Sequence, residues 1–225
     1  MFVKVSRWEI RKPTIDDGKT KPDVSKIPAP TRRRLNAFGK TAGGLVSEMI
    51  EEQPLIVFAS RYGDTERSVS ILEQISNAED ISPMHFSLSV HNAVSGLLSI
   101  AWKIYEMQSV ISAGENSLVM GLTEAFALID AFPDKQILFV YVDTPLPDLF
   151  TEFDQLDAAL NVGAILMTHN DCSDVGVSLE VTQVTEFLSD KTNSLASIES
   201  VLNGVEEKTI IGTGSFGWEF KKHAA

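Results

Sequence analysis

Short apolar runs bounded by turn residues alternate along this chain with longer segments whose apolar positions recur every three or four residues. The runs predict strands at residues 1–10, Leu55–Ala59, Gln108–Ala113, Gln136–Val142, Val162–Thr168, Gly176–Val184 and Lys208–Ile211. The periodic segments predict helices. The first runs from Arg32 to about Glu52, with Thr31 as N-cap. Others follow at Thr65–Ser76, with Val69, Leu72 and Ile75 on one face, and at Ala93–Tyr105, Asn116–Phe132, about 148–160 and Leu195–Leu202. Residues 11–30 carry four prolines and a glycine among charges and read as an extended arm. Strands alternating with helices predict an α/β fold in which several strands are covered on both faces.

Composition narrows the function classes. The 225 residues carry a formal net charge of −12. Eleven of the nineteen Lys and Arg residues lie in residues 1–41, leaving a strongly acidic body. Such a body repels nucleic acid. Arg32, Arg33 and Arg34 form the one basic cluster, read either as a solvated helix start or as a docking patch for an acidic partner. No apolar run approaches the roughly 18 residues of a membrane span, and the first ten residues do not read as a secretory signal. Cys172 is the single cysteine, so no internal disulfide forms. Together these features predict a cytoplasmic protein.

Most motif-like stretches dissolve on inspection. Gly212-Thr-Gly-Ser-Phe-Gly217 has the letters of a dinucleotide-binding turn, but that chemistry needs a helix after the glycines. A glycine turn between strands fits better, because Trp218–Phe220 reads as a strand. His85 and His91 are poorly spaced as metal ligands on one helix face. His169-Asn-Asp-Cys172 places a base and a nucleophile side by side, yet adjacent side chains usually diverge, so a turn is expected. The informative stretch is Ile111–Leu118, where a strand enters small residues and a helix begins at once. A sharp strand-to-helix turn of this kind presents one side chain to a helix N-terminus. Here the exposed position holds Gly114 or Glu115, and Asn116 or Ser117 is the expected cap.

Five stretches together resemble the β-ketoacyl synthase N-terminal-domain family, within the thiolase-like superfamily. They are Thr31–Leu35, Val57–Gly63, Ile81–Asn92, Ser112–Glu115 and Gly121–Ala125, in matching order over roughly residues 28–148. The Ser-Pro-x-x-Phe-Ser-x-Ser-Val-His-Asn run ending at Asn92 is the most specific. The resemblance is nearest to short chain-length-factor-like proteins of aryl polyene pigment clusters. It implies one half of a thiolase-like layered α/β/α fold with a divergent C-terminal extension. Residues 1–30 would be strand and arm, 31–148 the synthase-like core and 149–225 the extension. Active relatives carry a cysteine at the elbow. Counting back from the following helix puts that position at Glu115, and counting from the preceding strand puts it at Gly114. Neither forms a thioester, and the second half of the fold, with its two histidines, has no counterpart in a chain this short.

The resemblance therefore implies a subunit with no catalytic residue, metal or cofactor of its own. Its partner would be a catalytic ketosynthase, paired through the strand before the elbow, and an acyl carrier protein would be met indirectly. Phe86, Ser89, His91, Asn92, Gln108, Val110 and Ser112 would line the interface or the partner's acyl tunnel, and Arg32–Arg34 would help dock the carrier. Two other readings stay open at this point: a subunit that assists malonyl decarboxylation through Glu115, and a non-enzymatic scaffold or homodimer.

Overall fold

The computed structural model describes residues 1–11, 23–50, 53–153, 162–169, 176–185, 191–192 and 194–223. The described strands form a single sheet. In chain order they are β1 (Phe2–Arg11), β2 (Leu55–Ala59), β3 (Gln108–Ile111), β4 (Ile137–Val142), β5 (Val162–His169), β6 (Val177–Val184), β7 (Lys191–Thr192), β8 (Lys208–Thr213) and β9 (Phe216–Lys222). Their spatial order is β3-β2-β4-β5-β1-β6-β9-β8-β7. β3, β2 and β4 run parallel, whereas β5 is antiparallel to both β4 and β1. β5 comes from the last third of the chain and sits between β4 and β1, so the C-terminal region completes the centre of the sheet.

The helices are α1 (Ala29–Arg32), α2 (Ala37–Met49), α3 (Thr65–Ser76), α4 (Pro83–Ser87), α5 (Ala93–Trp102), α6 (Ser117–Ala131) and α7 (Leu195–Leu202). Every residue of β2 and β4 is buried, because helices cover both faces. Side chains alternate between faces along a strand. Ile56, Phe58, Leu138 and Val140 pack with α2 and α5 in one layer. Val57, Ala59, Phe139 and Tyr141 pack with α6 and α7 in the other. The continuous apolar runs are thus two interleaved faces, each with its own cover. α6 approaches the sheet closely. A Cβ on Gly121 would stand 2.7 Å from Ala59 Cβ and 2.8 Å from Phe139 Cε2, so only glycine fits.

The structure corrects several local expectations. The predicted helix from Arg32 is two helices that part at residues 33–36. Thr31 lies inside α1, and the cap of α2 is Asn36, whose side chain accepts from the Gly39 N–H at 3.3 Å. α3 forms over the predicted residues, but its apolar stripe is not core. Ile71 alone is buried, while Leu72 and Ile75 are 59% and 55% exposed. α5 ends at Trp102, where Lys103 takes a left-handed conformation, and Tyr105 is exposed. Residues 148–153 form a 3-10 turn rather than an α-helix; the remainder of that predicted helix lies outside the described residues. Lys208–Ile211 extends to Thr213 and is not the final strand. Gly214 and Ser215 turn the chain into β9, so the glycine motif is a hairpin turn. His169 ends β5, and Asn170–Cys172 lie outside the described residues.

Candidate functional site

β2, β3 and β4 are parallel neighbours, so their carboxyl ends open on one side of the sheet, the usual place for a site in an α/β fold. β3 ends at Ile111. Ser112 and Ala113 lead into a 3-10 turn, Gly114–Asn116, and α6 starts at Ser117. Gly114 and Glu115, the two residues that sequence counting left open, both lie in this turn. The φ of Gly114 is +58°, a left-handed conformation that strains other residues, and nothing lies within 4 Å of where its Cβ would be. Glu115 follows, with its side chain 70% exposed.

Ser117 stands at the first position of the buried helix, where a nucleophile would matter. Its hydroxyl donates to the Gly114 carbonyl at 2.7 Å and accepts the Ala113 N–H at 2.9 Å. It is fully buried and closes the turn. Asn116, the other expected cap, makes no capping bond with its side chain.

Beneath the turn lies a polar cluster that sequence reasoning did not single out. Asp143 follows β4 directly. Its Oδ1 accepts the Arg61 backbone N–H at 2.7 Å and the Ser60 hydroxyl at 3.3 Å, and its Oδ2 accepts the Tyr141 hydroxyl at 2.8 Å. Burial pushes the Asp143 carboxyl above the ordinary carboxylate range, against the Arg61 N–H, the two hydroxyls and the Arg61 charge. Burial, aided by Asp143, likewise pushes the Tyr141 phenol up, so it remains a donor. The Arg61 side chain is only 9% exposed and lies over the Tyr62 ring, 4.6 Å from its centroid. Its Nη2 is 3.9 Å from Glu115 Oε1. The available signal was a polar residue set directly after each fully apolar strand, at Ser60-Arg61 and at Asp143.

Of the predicted residues, His91, Ser112 and Glu115 come together here. His91 Nε2 faces the Ser60 carbonyl at 3.3 Å; a carbonyl only accepts, so this nitrogen carries the proton. The Ser112 hydroxyl donates to the Arg61 carbonyl at 3.1 Å. Gln108 and Ser109 point to opposite faces of β3, Gln108 accepting from Ser95 on α5 and Ser109 donating to Glu124 on α6 at 2.6 Å. Val110 packs against the α2–α5 layer. Phe86, on α4, is 58% exposed. Ser89 donates to the Phe86 carbonyl, and Asn92 precedes α5 without a capping bond. Arg32 donates to the Val24 carbonyl, whereas Arg33 and Arg34 are exposed where α1 gives way to α2. Among the described residues no cluster of potential metal ligands occurs, and no helix is long and apolar enough to cross a membrane.

Residues 6–219 match the family described as beta-ketoacyl synthase, N-terminal domain. The match extends well beyond the stretch of roughly 28–148 that carried the resemblance in the sequence. No curated protein matches the chain. Among solved structures, one chain of the ketosynthase ApeO in complex with its chain length factor ApeC, from Xenorhabdus doucetiae, is similar over 98% of this chain and 99% of that one. The TM-score is 0.75 at 24% identity. The ishigamide ketosynthase/chain length factor matches 84% of this chain and 69% of its own, with a TM-score of 0.63 at 12% identity. A beta-ketoacyl synthase from Burkholderia phymatum matches 88% and 62%, with a TM-score of 0.55 at 9% identity. At these identities the shared property is the fold.

Proposed function

Because the chain belongs to the β-ketoacyl synthase N-terminal-domain family, we propose that it is a non-catalytic, chain-length-factor-like partner of a type II β-ketoacyl-acyl-carrier-protein synthase. The observation that carries this reading is the elbow. It holds Gly114 and Glu115, and the serine that follows is locked inside the turn. Acyl transfer needs an activated nucleophile, and its loss costs several orders of magnitude in rate. The chain therefore contributes shape. Its role would be in polyene assembly, of the aryl polyene kind, or in a fatty-acid-like pathway, where bulky side chains at the interface limit the acyl tunnel of the partner.

Pairing through β3 is supported by its place at the edge of the sheet. The polar side chains Gln108 and Ser109 are already bonded within the chain, while Met107, directly before β3, is exposed, as are Met84, Phe86 and Val90 on and after α4. An exposed apolar surface suits a permanent partner better than a polar, self-complementary scaffold contact. Phe86, Ser89, His91, Asn92, Gln108, Val110 and Ser112 are the interface or tunnel residues of this reading, and Arg33 and Arg34, flanked by Arg32, the weaker contact to an acidic carrier. Glu115 is assigned no chemistry. Likeness in fold to one chain of the ApeO–ApeC complex supports the partner-subunit reading.

The test is co-expression with a candidate ketosynthase. A one-to-one complex whose product length changes when Phe86 is replaced by Ala supports the reading. A homodimer that ignores the synthase overturns it, as does malonyl decarboxylation by the isolated chain that is lost in Glu115→Ala.

A further inference from the structure

We propose that the elbow of this chain binds a carboxylate, held by the Arg61 guanidinium at the N-terminal end of α6 beside the open face of Gly114. The inference rests on this chain's own side chains and stands whether or not a synthase partner exists.

Arg61 is the starting point. A guanidinium offers five N–H donors and is always charged. Burying it is tolerable when those donors are satisfied and costly when they are not. Here nine-tenths of the side chain is buried, yet among the described residues Nε has no hydrogen-bond partner. Nη2 stops 3.9 Å from Glu115 Oε1, beyond hydrogen-bonding distance. The nearby buried carboxylate, Asp143, feels the Arg61 charge but accepts none of its side-chain N–H groups. Its oxygens are taken by the Arg61 backbone N–H and by the hydroxyls of Ser60 and Tyr141. Stacking on Tyr62 fixes the plane of the guanidinium without meeting its donors.

The surroundings fit an anion. α6 is fifteen residues long, and its N-terminal end carries a partial positive charge. Nothing stands within 4 Å of where a Cβ on Gly114 would be, so this side of the turn is open. Two parallel N–H donors on a fixed plane match the two oxygens of a carboxylate. Glu115 is the native competitor. Its charge beside Nη2 opposes a second anion, and its exposure lets it yield.

The full-length chain is titrated with butyrate and followed by amide NMR shifts at residues 112–118. Sodium chloride at equal ionic strength and butyramide, the neutral isostere, are the controls. Saturable shifts with butyrate alone are expected. Arg61→Met, with Arg61→Gln as a second variant and the amide spectrum as the check on folding, weakens binding at least about tenfold. Arg61→Lys keeps the charge without the fork and falls between. Glu115→Gln tightens binding about threefold by removing the repelling charge. Binding that survives loss of the guanidinium overturns the site, as does equal binding of butyramide, or no binding in both the native chain and Glu115→Gln.

Discussion

The two ends of the sheet are finished to different degrees. At the β7 end, α7 is only eight residues long, yet Leu195, Ile198, Val201 and Leu202 are all buried. β9 closes over α6 there. Trp218 donates to Thr123 at 2.9 Å, and the Phe126 ring meets Trp218 edge-on with centroids 5.0 Å apart. On the connection between β2 and β3, the edge strand at the other end, α3 has twelve residues and buries only Ile71, and α4 buries none. Leu72, Ile75, Met84 and Phe86 remain in solvent. An amphipathic helix normally turns its apolar stripe to a core. One end has its core inside the chain. The other carries apolar side chains that no described residue covers, which is what the partner-subunit reading needs.

The largest effect that separates the two ends is on stability. Phe126 is buried between Trp218 and Phe220, so Phe126→Ala is expected to cost about 3–4 kcal/mol in urea unfolding. Leu72→Ala, on the other end, is expected to cost less than about 0.5 kcal/mol. Comparable losses at the two positions would erase the contrast.

A smaller but more selective effect is expected at the edge itself. Met107 and Ile111 turn their carbonyls toward β2. By alternation, Gln108 and Val110 turn their backbone groups outward. Val110→Pro therefore removes an outward N–H and leaves the β2–β3 ladder intact, as edge strands allow. The isolated chain is expected to lose about 1 kcal/mol, for the altered packing of a half-buried side chain. The affinity for a ketosynthase subunit is expected to fall about a hundredfold, or about 2.7 kcal/mol, measured by calorimetry. Retained affinity would move the interface elsewhere and leave the exposed face of α3 as the next place to look.

The sequence made some of this contrast legible and hid the rest for identifiable reasons. β2 and β4 were readable because each is an unbroken apolar run closed by turn residues, and α3 and α7 because their periodicity and caps agree. Periodicity reports a stripe, however, and not what lies against it, so the shared face of Val69, Leu72 and Ile75 left open whether it is covered. Thr31 and Asn36 are both good N-cap types, and only the bend after α1 chooses between them. Gly114 and Glu115 were indistinguishable by counting, and both fall in one 3-10 turn. The Arg61–Asp143 contact joins residues 82 apart and exists because β2 and β4 are neighbours in the sheet. No local pattern encodes that pairing.

The smallest expected effect lies between the two ends, at Asp143, and it is a matter of sign. Burial holds the folded-state carboxyl above its ordinary range despite three donors and the Arg61 charge. The folded protein then binds a proton more tightly than the unfolded chain. The associated stability is fully present below the ordinary carboxylate pKa of about 3.9, and it is lost as pH rises through the raised value. Asp143→Asn keeps an acceptor for the Arg61 N–H and does not titrate. The native chain should therefore lose thermal stability relative to this variant as pH is raised from about 4. Paired melting curves across that range give the answer. A difference that moves the other way would mean that Asp143 is held ionised by Arg61. The guanidinium would then already own a carboxylate, and the elbow would have no need of another.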